Sequence, residues 1–189
     1  EKPLPGQRGS GSAMRLFHFS EDPAIRRFEP RPVATPSPRP PGMEWLNGPL
    51  VWAIEEARQA LYHFPRDCPR ILLWPTPRTT PQDMARWFPP GSPRIIAHVE
   101  RAWSDRIAQA SIHRYSMPTG TFEDLGDAGM WVSRVAVDPM AMETLTDLPG
   151  RLGELGVELR WMDDLTPLRG VWDTSLHASG VRLRNAQGW

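Results

Sequence analysis

His18 stands in the middle of an apolar run, Leu16-Phe17-His18-Phe19, that passes directly into Ser20, Glu21 and Asp22. A buried strand has no need of an imidazole, whereas a phosphate or ribose site uses one. Strand alternation puts Phe17 and Phe19 on one face and Leu16, His18 and Ser20 on the other. His18 is therefore expected at a cleft or at solvent, and a hydrogen-bonded structural histidine is the plainer alternative. Further along, "WAIEEARQALYHF" offers Glu55, Glu56, Tyr62 and His63. The two glutamates fit the acidic first turn that a helix dipole favours, and Tyr62 fits either core or the floor of a pocket. "FPRDCPR" packs Arg66, Asp67, Cys68 and Arg70 between prolines. Cys68 is there either a thiol nucleophile or a buried cysteine in a rigid turn, with Arg66 and Asp67 in ion pairs. The fourth concentration is Asp173, Ser175, His177 and Arg182 near the C-terminus. A hydrolase could use the first three, although triad members are assembled by tertiary geometry and not by crowding, and no GxSxG stretch is present.

Composition removes other chemistries. His98, His113 and His177 lack metal-ligand spacing, and HExxH and CxxC are absent, so no metal is expected. Acidic and basic residues balance at 22 each, which gives no field favouring nucleic acid or an anionic membrane. Lys2 is the sole lysine, and every other cation is arginine. Residues 1–13, Gly/Ser-rich and upstream of Met14, read as a tag or linker, leaving 14–189 as one domain without lysine. That excludes a Schiff-base lysine and a Walker-type phosphate loop. A single cysteine excludes an internal disulfide. No signal peptide or membrane-length apolar run is evident, so the chain is expected to be cytoplasmic.

The elements that must position these residues are short. Strands are expected at 15–19, 49–54, 70–74, 110–118, 130–139 and 157–162, with 94–99 either strand or helix start. Helices are expected over 55–64, after Pro81, and over 142–156 with Gly156 as the cap. Residues 166–179 read as helix or turn. Six prolines between Glu29 and Gly42 predict an extended or mobile arm. Strands and helices alternate without regular βαβ crossovers, which predicts an α+β fold with a mixed, largely antiparallel sheet and peripheral short helices.

Two resemblances follow from these stretches. "LFHFSEDPAIRRFEPR", "PLVWAIEEARQALYHFPRDCPRI", "GMWVSR" with "VDP", and "SGVRLRN" resemble a bacterial family, common in actinobacteria, that has no assigned activity. The chain is more distantly similar to the ADP-ribosyltransferase fold, in which a first-strand histidine meets the NAD ribose and a tyrosine lies beside nicotinamide. That resemblance implies His18 and Ser20 at the ribose, Tyr62 on nicotinamide, and Arg15 or Arg134 at phosphate. It implies Glu123 as the orienting carboxylate, with Asp124 and Glu158 as competitors. NAD or another phosphorylated nucleotide would be the small-molecule partner. Three functions are thus open: a nucleotide-binding transferase, a non-catalytic ligand- or protein-binding module of the same fold, and a hydrolase using Cys68 or the Asp173, Ser175 and His177 group.

Overall fold

A computed structural model describes residues 14–189, so the reading of residues 1–13 lies outside the described residues. The chain folds in the order β1 (Leu16–Ser20), β2 (Val51–Glu55), β3 (Arg70–Trp74), α1 (Pro81–Trp87), β4 (Ile95–Glu100), α2 (Ser104–Gln109), β5 (Ile112–Met117), β6 (Phe122–Asp124), β7 (Met130–Ser133), β8 (Ala141–Leu145), α3 (Leu148–Glu154), β9 (Val157–Met162) and β10 (His177–Val181). Two sheets result, and the fold is α+β. The larger is antiparallel throughout, in the order β6-β7-β2-β1-β5-β8; the smaller runs β10-β3-β4-β9, with only β4 and β9 parallel. No helix among the described residues is long and apolar enough to cross a membrane.

Period-two alternation divides the apolar side chains among three layers. Phe17 and Ile54 from the large sheet meet Leu72, Trp74, Ala97 and Val99 from the small one, with Leu61 and Phe64 between them. The opposite face of the small sheet carries Ile71, Leu73 and Ile96, covered by Phe88 after α1 and by Leu168 and Val171. The opposite face of the large sheet carries Leu16, Val51, Ala53, Tyr115 and Met117, covered by Phe28 and Val137. The proline-rich arm is thus extended and fastened. Phe28 exchanges backbone hydrogen bonds with Val137, and Arg31 does so with Leu50.

Two expected helices turn out differently. Residues Glu56–Tyr62 form a 3-10 helix, not the α-helix expected over 55–64. The Gln59 carbonyl, which an α-helix would give to the His63 amide, takes the His63 ring Nδ1–H at 2.9 Å instead, while that amide bonds Ala60. The Leu61 carbonyl would face Pro65, which has no amide N–H, and is taken by the Arg70 guanidinium. With those acceptors diverted, the tighter i to i+3 pattern is what is left. The start of the helix expected over 142–156 instead belongs to the β8 edge strand, Ala141–Leu145, and α3 starts only at Leu148 with Asp147 capping it.

Candidate functional site

His18 lies on the outer face of the large sheet, beneath the arm. The β1–β2 ladder runs only from Leu16 to Phe17, and beyond it the His18 Nδ1–H donates to the Trp52 carbonyl at 2.7 Å. A carbonyl only accepts, so this contact fixes the proton on Nδ1. The ring packs 4.6 Å from Phe28, and burial holds its pKa below the ordinary histidine value, with Arg66 adding to the effect. Tyr62 occupies the opposite, intersheet face, its ring stacked on Phe19 at 6.2 Å and its hydroxyl donating to Met130 Sδ at 3.6 Å. Burial raises the Tyr62 pKa. The sheet itself therefore separates His18 from Tyr62.

The other residues named from sequence are also dispersed. Ser20 Oγ accepts the Asp22 amide in a local turn. Arg15 pairs with Glu56 at 3.0 Å. Glu123 on edge strand β6 pairs with Arg134 at 3.1 Å, and Arg134 lies over Trp45. The structure does not bring His18, Tyr62 and Glu123 together. Nor does it assemble a triad near the C-terminus. Ser175 donates its hydroxyl to Asp83, the first-turn acid of α1, and Asp83 also accepts the Ser175 amide. His177 instead bonds Ser179, and Asp173 is exposed at the end of the Thr166–Asp173 3-10 helix.

Cys68 is fully buried, and burial pushes its thiol up to about 12. The nucleophile is the thiolate, whose share at pH 8 would be about one part in ten thousand. Cys68 is therefore packing in a rigid turn. An aromatic disulfide reagent at pH 8 is expected to label the native chain only as fast as it unfolds, and the guanidinium-unfolded chain at once. Stoichiometric labelling of the folded protein within seconds would contradict this assignment.

The side chains that do converge lie where the two sheets meet. Trp74 on β3 faces inward, and its cross-strand partner His177 on β10 stacks on it at 4.2 Å and 13°. The Arg58 guanidinium lies 4.4 Å from the same ring centroid. Arg58 and His177 thus both pack on the Trp74 indole. Arg58 is also fixed from behind. Gly129, at φ +75°, lies so close that a Cβ there would sit 2.7 Å from Arg58 Cγ and 2.8 Å from Glu55 Cγ. Glu55 is in turn held by the Trp131 indole N–H at 3.0 Å.

A cavity of about 520 Å³ opens beside this stack. Its lining includes Glu56, Arg58, Gln59, Trp74, Arg94 and Leu155. Neither Arg58 nor Arg94 has a carboxylate within ion-pair distance among the described residues. Burial lowers the Arg58 pKa and Arg94 lowers it further, against a raising contribution from Glu55. A second cavity, of about 410 Å³, lies at the start of β1, lined by Met14, Arg15, Leu16 and the 116–120 segment. Its cation, Arg15, is already paired, and Met14, Leu16, Met117 and Met140 make the rest largely apolar. Among the described residues no group of three or more His, Cys, Asp or Glu could hold a metal ion.

A family model matches residues 17–186, nearly the whole described chain. The chain belongs to DUF6886, a family of unknown function. No curated protein and no solved structure matches it. Family membership thus leaves the site to be read from its geometry. Arg58, Trp74 and Arg94 were not among the residues that sequence reasoning singled out. Their one signal was the arginine in the centre of "EEARQALY", a cation in a segment whose neighbours Ala57, Ala60 and Leu61 read as core.

Proposed function

We propose that this protein binds a small phosphorylated ligand of the nucleotide class in the cavity between its sheets, with Arg58 and Arg94 meeting the phosphates. The observation that carries this reading is the convergence of two arginines without acid partners on one cavity. Guanidinium groups present planar, bidentate donors suited to phosphate oxygens, and the volume falls in the range of small-molecule sites. Arg58 supports it most strongly. Its stem is wedged against Gly129 and its head lies over the Trp74 ring, so little rotamer freedom is lost on binding. An anion would also relieve the repulsion between Arg58 and Arg94.

Within that class NAD and ADP are the first probes, because NAD is the ligand that the transferase-like resemblance implies. If the dissociation constant is near one hundredth of the probe concentration, binding stabilises the native state by about 2.7 kcal/mol. For a chain of this length that is a rise in melting temperature of about 5–10 °C. The expected result is such a rise with millimolar ADP or NAD, its marked reduction in Arg58→Ala, and its retention in the exposed-loop control Arg78→Ala. No rise with either nucleotide would sink the proposal. Release of nicotinamide during incubation with NAD would extend it from binding to transfer.

A further inference from the structure

The other end of the β3–β10 pair carries a separate concentration of positive charge. β10 ends at Val181, opposite Arg70 of β3. The next residue, Arg182, adopts the left-handed conformation, φ 55° and ψ 32°. That conformation costs free energy for any residue with a Cβ, and such outliers persist where the surroundings or a function require them. The following turn, Leu183–Asn185, folds back, and Asn185 Nδ2–H donates to the Asp67 carbonyl at 2.8 Å. Asp67 belongs to the 65–68 loop, which Arg70 grips from inside through the carbonyls of Pro65, Arg66 and Cys68. Two loops are thereby tied together, and Arg66, Arg182 and Arg184 come to one corner.

None of the three guanidinium groups pairs with a carboxylate at salt-bridge distance among the described residues, and the Glu21 carboxylate accepts the Arg66 backbone N–H at 2.9 Å. Arg182 is half-buried, whereas Arg66 and Arg184 are exposed. Burial, then Arg66 and then Arg184, lower the Arg182 pKa, and Asp67 offsets this only in part. A glycine would remove the backbone cost and the repulsion together. An arginine in this position loads the corner with charge.

We propose that Arg66, Arg182 and Arg184 form a second anion subsite, for a phosphate-type dianion, distinct from the cavity lined by Arg58 and Arg94. The Trp74–His177 and Arg70–Val181 pairs are four residues apart along the strands, or about 13 Å, so one phosphate cannot serve both places. The phosphate-type group has two sources: a free inorganic anion, or the phosphate end of an ester.

The test uses the whole protein, inorganic pyrophosphate and ADP, with calorimetric titration and melting temperature as readouts. Arg182→Gly is expected to melt at or above the parent temperature without ligand, because glycine takes φ near +55° freely. It is also expected to bind pyrophosphate about tenfold more weakly, the loss that follows removal of one charge-assisted donor. Arg66→Ala reports the same loss by a change that leaves the αL residue in place. Arg58→Ala removes whatever pyrophosphate the cavity takes and keeps the affinity of the corner. In that background, binding of pyrophosphate alone makes the corner a site for the free anion, and binding of ADP as well makes it a site for the ester. Unchanged pyrophosphate affinity in both Arg182→Gly and Arg66→Ala overturns the subsite. A fall in the ligand-free melting temperature of Arg182→Gly with unchanged affinity overturns it too, since Arg182 would then serve only the turn. Loss of pyrophosphate binding in Arg58→Ala overturns the separation of the two sites.

Discussion

Arg70→Met is expected to lower the melting temperature by about 10 °C or more, although it removes no ion pair and keeps an apolar side chain of similar length. Arg70 is 1% exposed, on the inward face of β3 among apolar residues. Its Nε and Nη2 both donate to the Leu61 carbonyl, at 3.0 and 2.8 Å, and Nη1 donates to the Cys68 carbonyl at 2.9 Å. Longer contacts reach Arg66 and Pro65. The rings of Phe64 and Tyr62 lie 5.2 and 5.8 Å from its central carbon. Burial lowers its pKa to about 10, so the cation is still charged at neutral pH, solvated by backbone carbonyls in place of water. Methionine fills the space without donating, and it strands at least two buried acceptors at about 1–3 kcal/mol each. Two stranded acceptors together cost about 2–6 kcal/mol, and each kcal/mol moves the transition of a chain this long by about 2–4 °C. Arg70→Lys keeps the charge but not the planar fork, and should fall between the two. A guanidinium midpoint for Arg70→Met equal to that of the parent would remove Arg70 as the organiser of the 61–68 loop.

That loop shows what the sequence does and does not make legible. "FPRDCPR" reads as a rigid turn with a buried cysteine, and the turn is rigid. The residue responsible is Arg70, not an Arg66–Asp67 pair, because the guanidinium spends its donors on carbonyls of its own loop. Carbonyls carry no letter in a sequence. His18 is similar. Its oddness among phenylalanines is visible at once, but its partner is the Trp52 backbone, 34 residues away. Which face Tyr62 takes depends on the 3-10 pitch, and that pitch depends on where the Gln59 and Leu61 carbonyls go. The α+β class is readable because short alternating strands encode their own burial. The pairing of β8 with β5 is not, because "AMETL" gains its strand character from Tyr115 and Arg114 across the ladder. The pinning of Arg58 depends on Gly129, 71 residues downstream, and only an assembled fold reveals that absence of a Cβ.

Acidification should unfold this protein well before its carboxylates titrate fully, and two histidines set the window. His63 is 2% exposed, with Nδ1–H on the Gln59 carbonyl and its ring 5.2 Å from Phe19. Burial, reinforced by Arg114 and Arg151, lowers its pKa to about 4 against the helping contact from Gln59. His98 on β4 is equally depressed, to about 4, first by burial; its Nδ1 is buried without a hydrogen-bond partner. In the unfolded chain both titrate near 6.5. Between about pH 6.5 and 4 the unfolded state therefore binds more protons than the native state, and stability falls as pH falls. Above about 6.5 the contribution is fully present, and below about 4 nothing more is lost through these groups. Each histidine contributes at most about 3 kcal/mol over that interval, at a slope of about 1.4 kcal/mol per pH unit. The pair is thus comparable with the whole stability of an ordinary domain. Chemical denaturation at pH 7.5, 6.5, 5.5 and 4.5 should show the decline. His98→Leu, which cannot protonate and leaves no orphaned nitrogen, should reduce the slope by about half while the parent stability at pH 7.5 is largely kept. Equal slopes in the parent and in His98→Leu would mean that His98 is solvated in the native state and does not hold its proton off by burial.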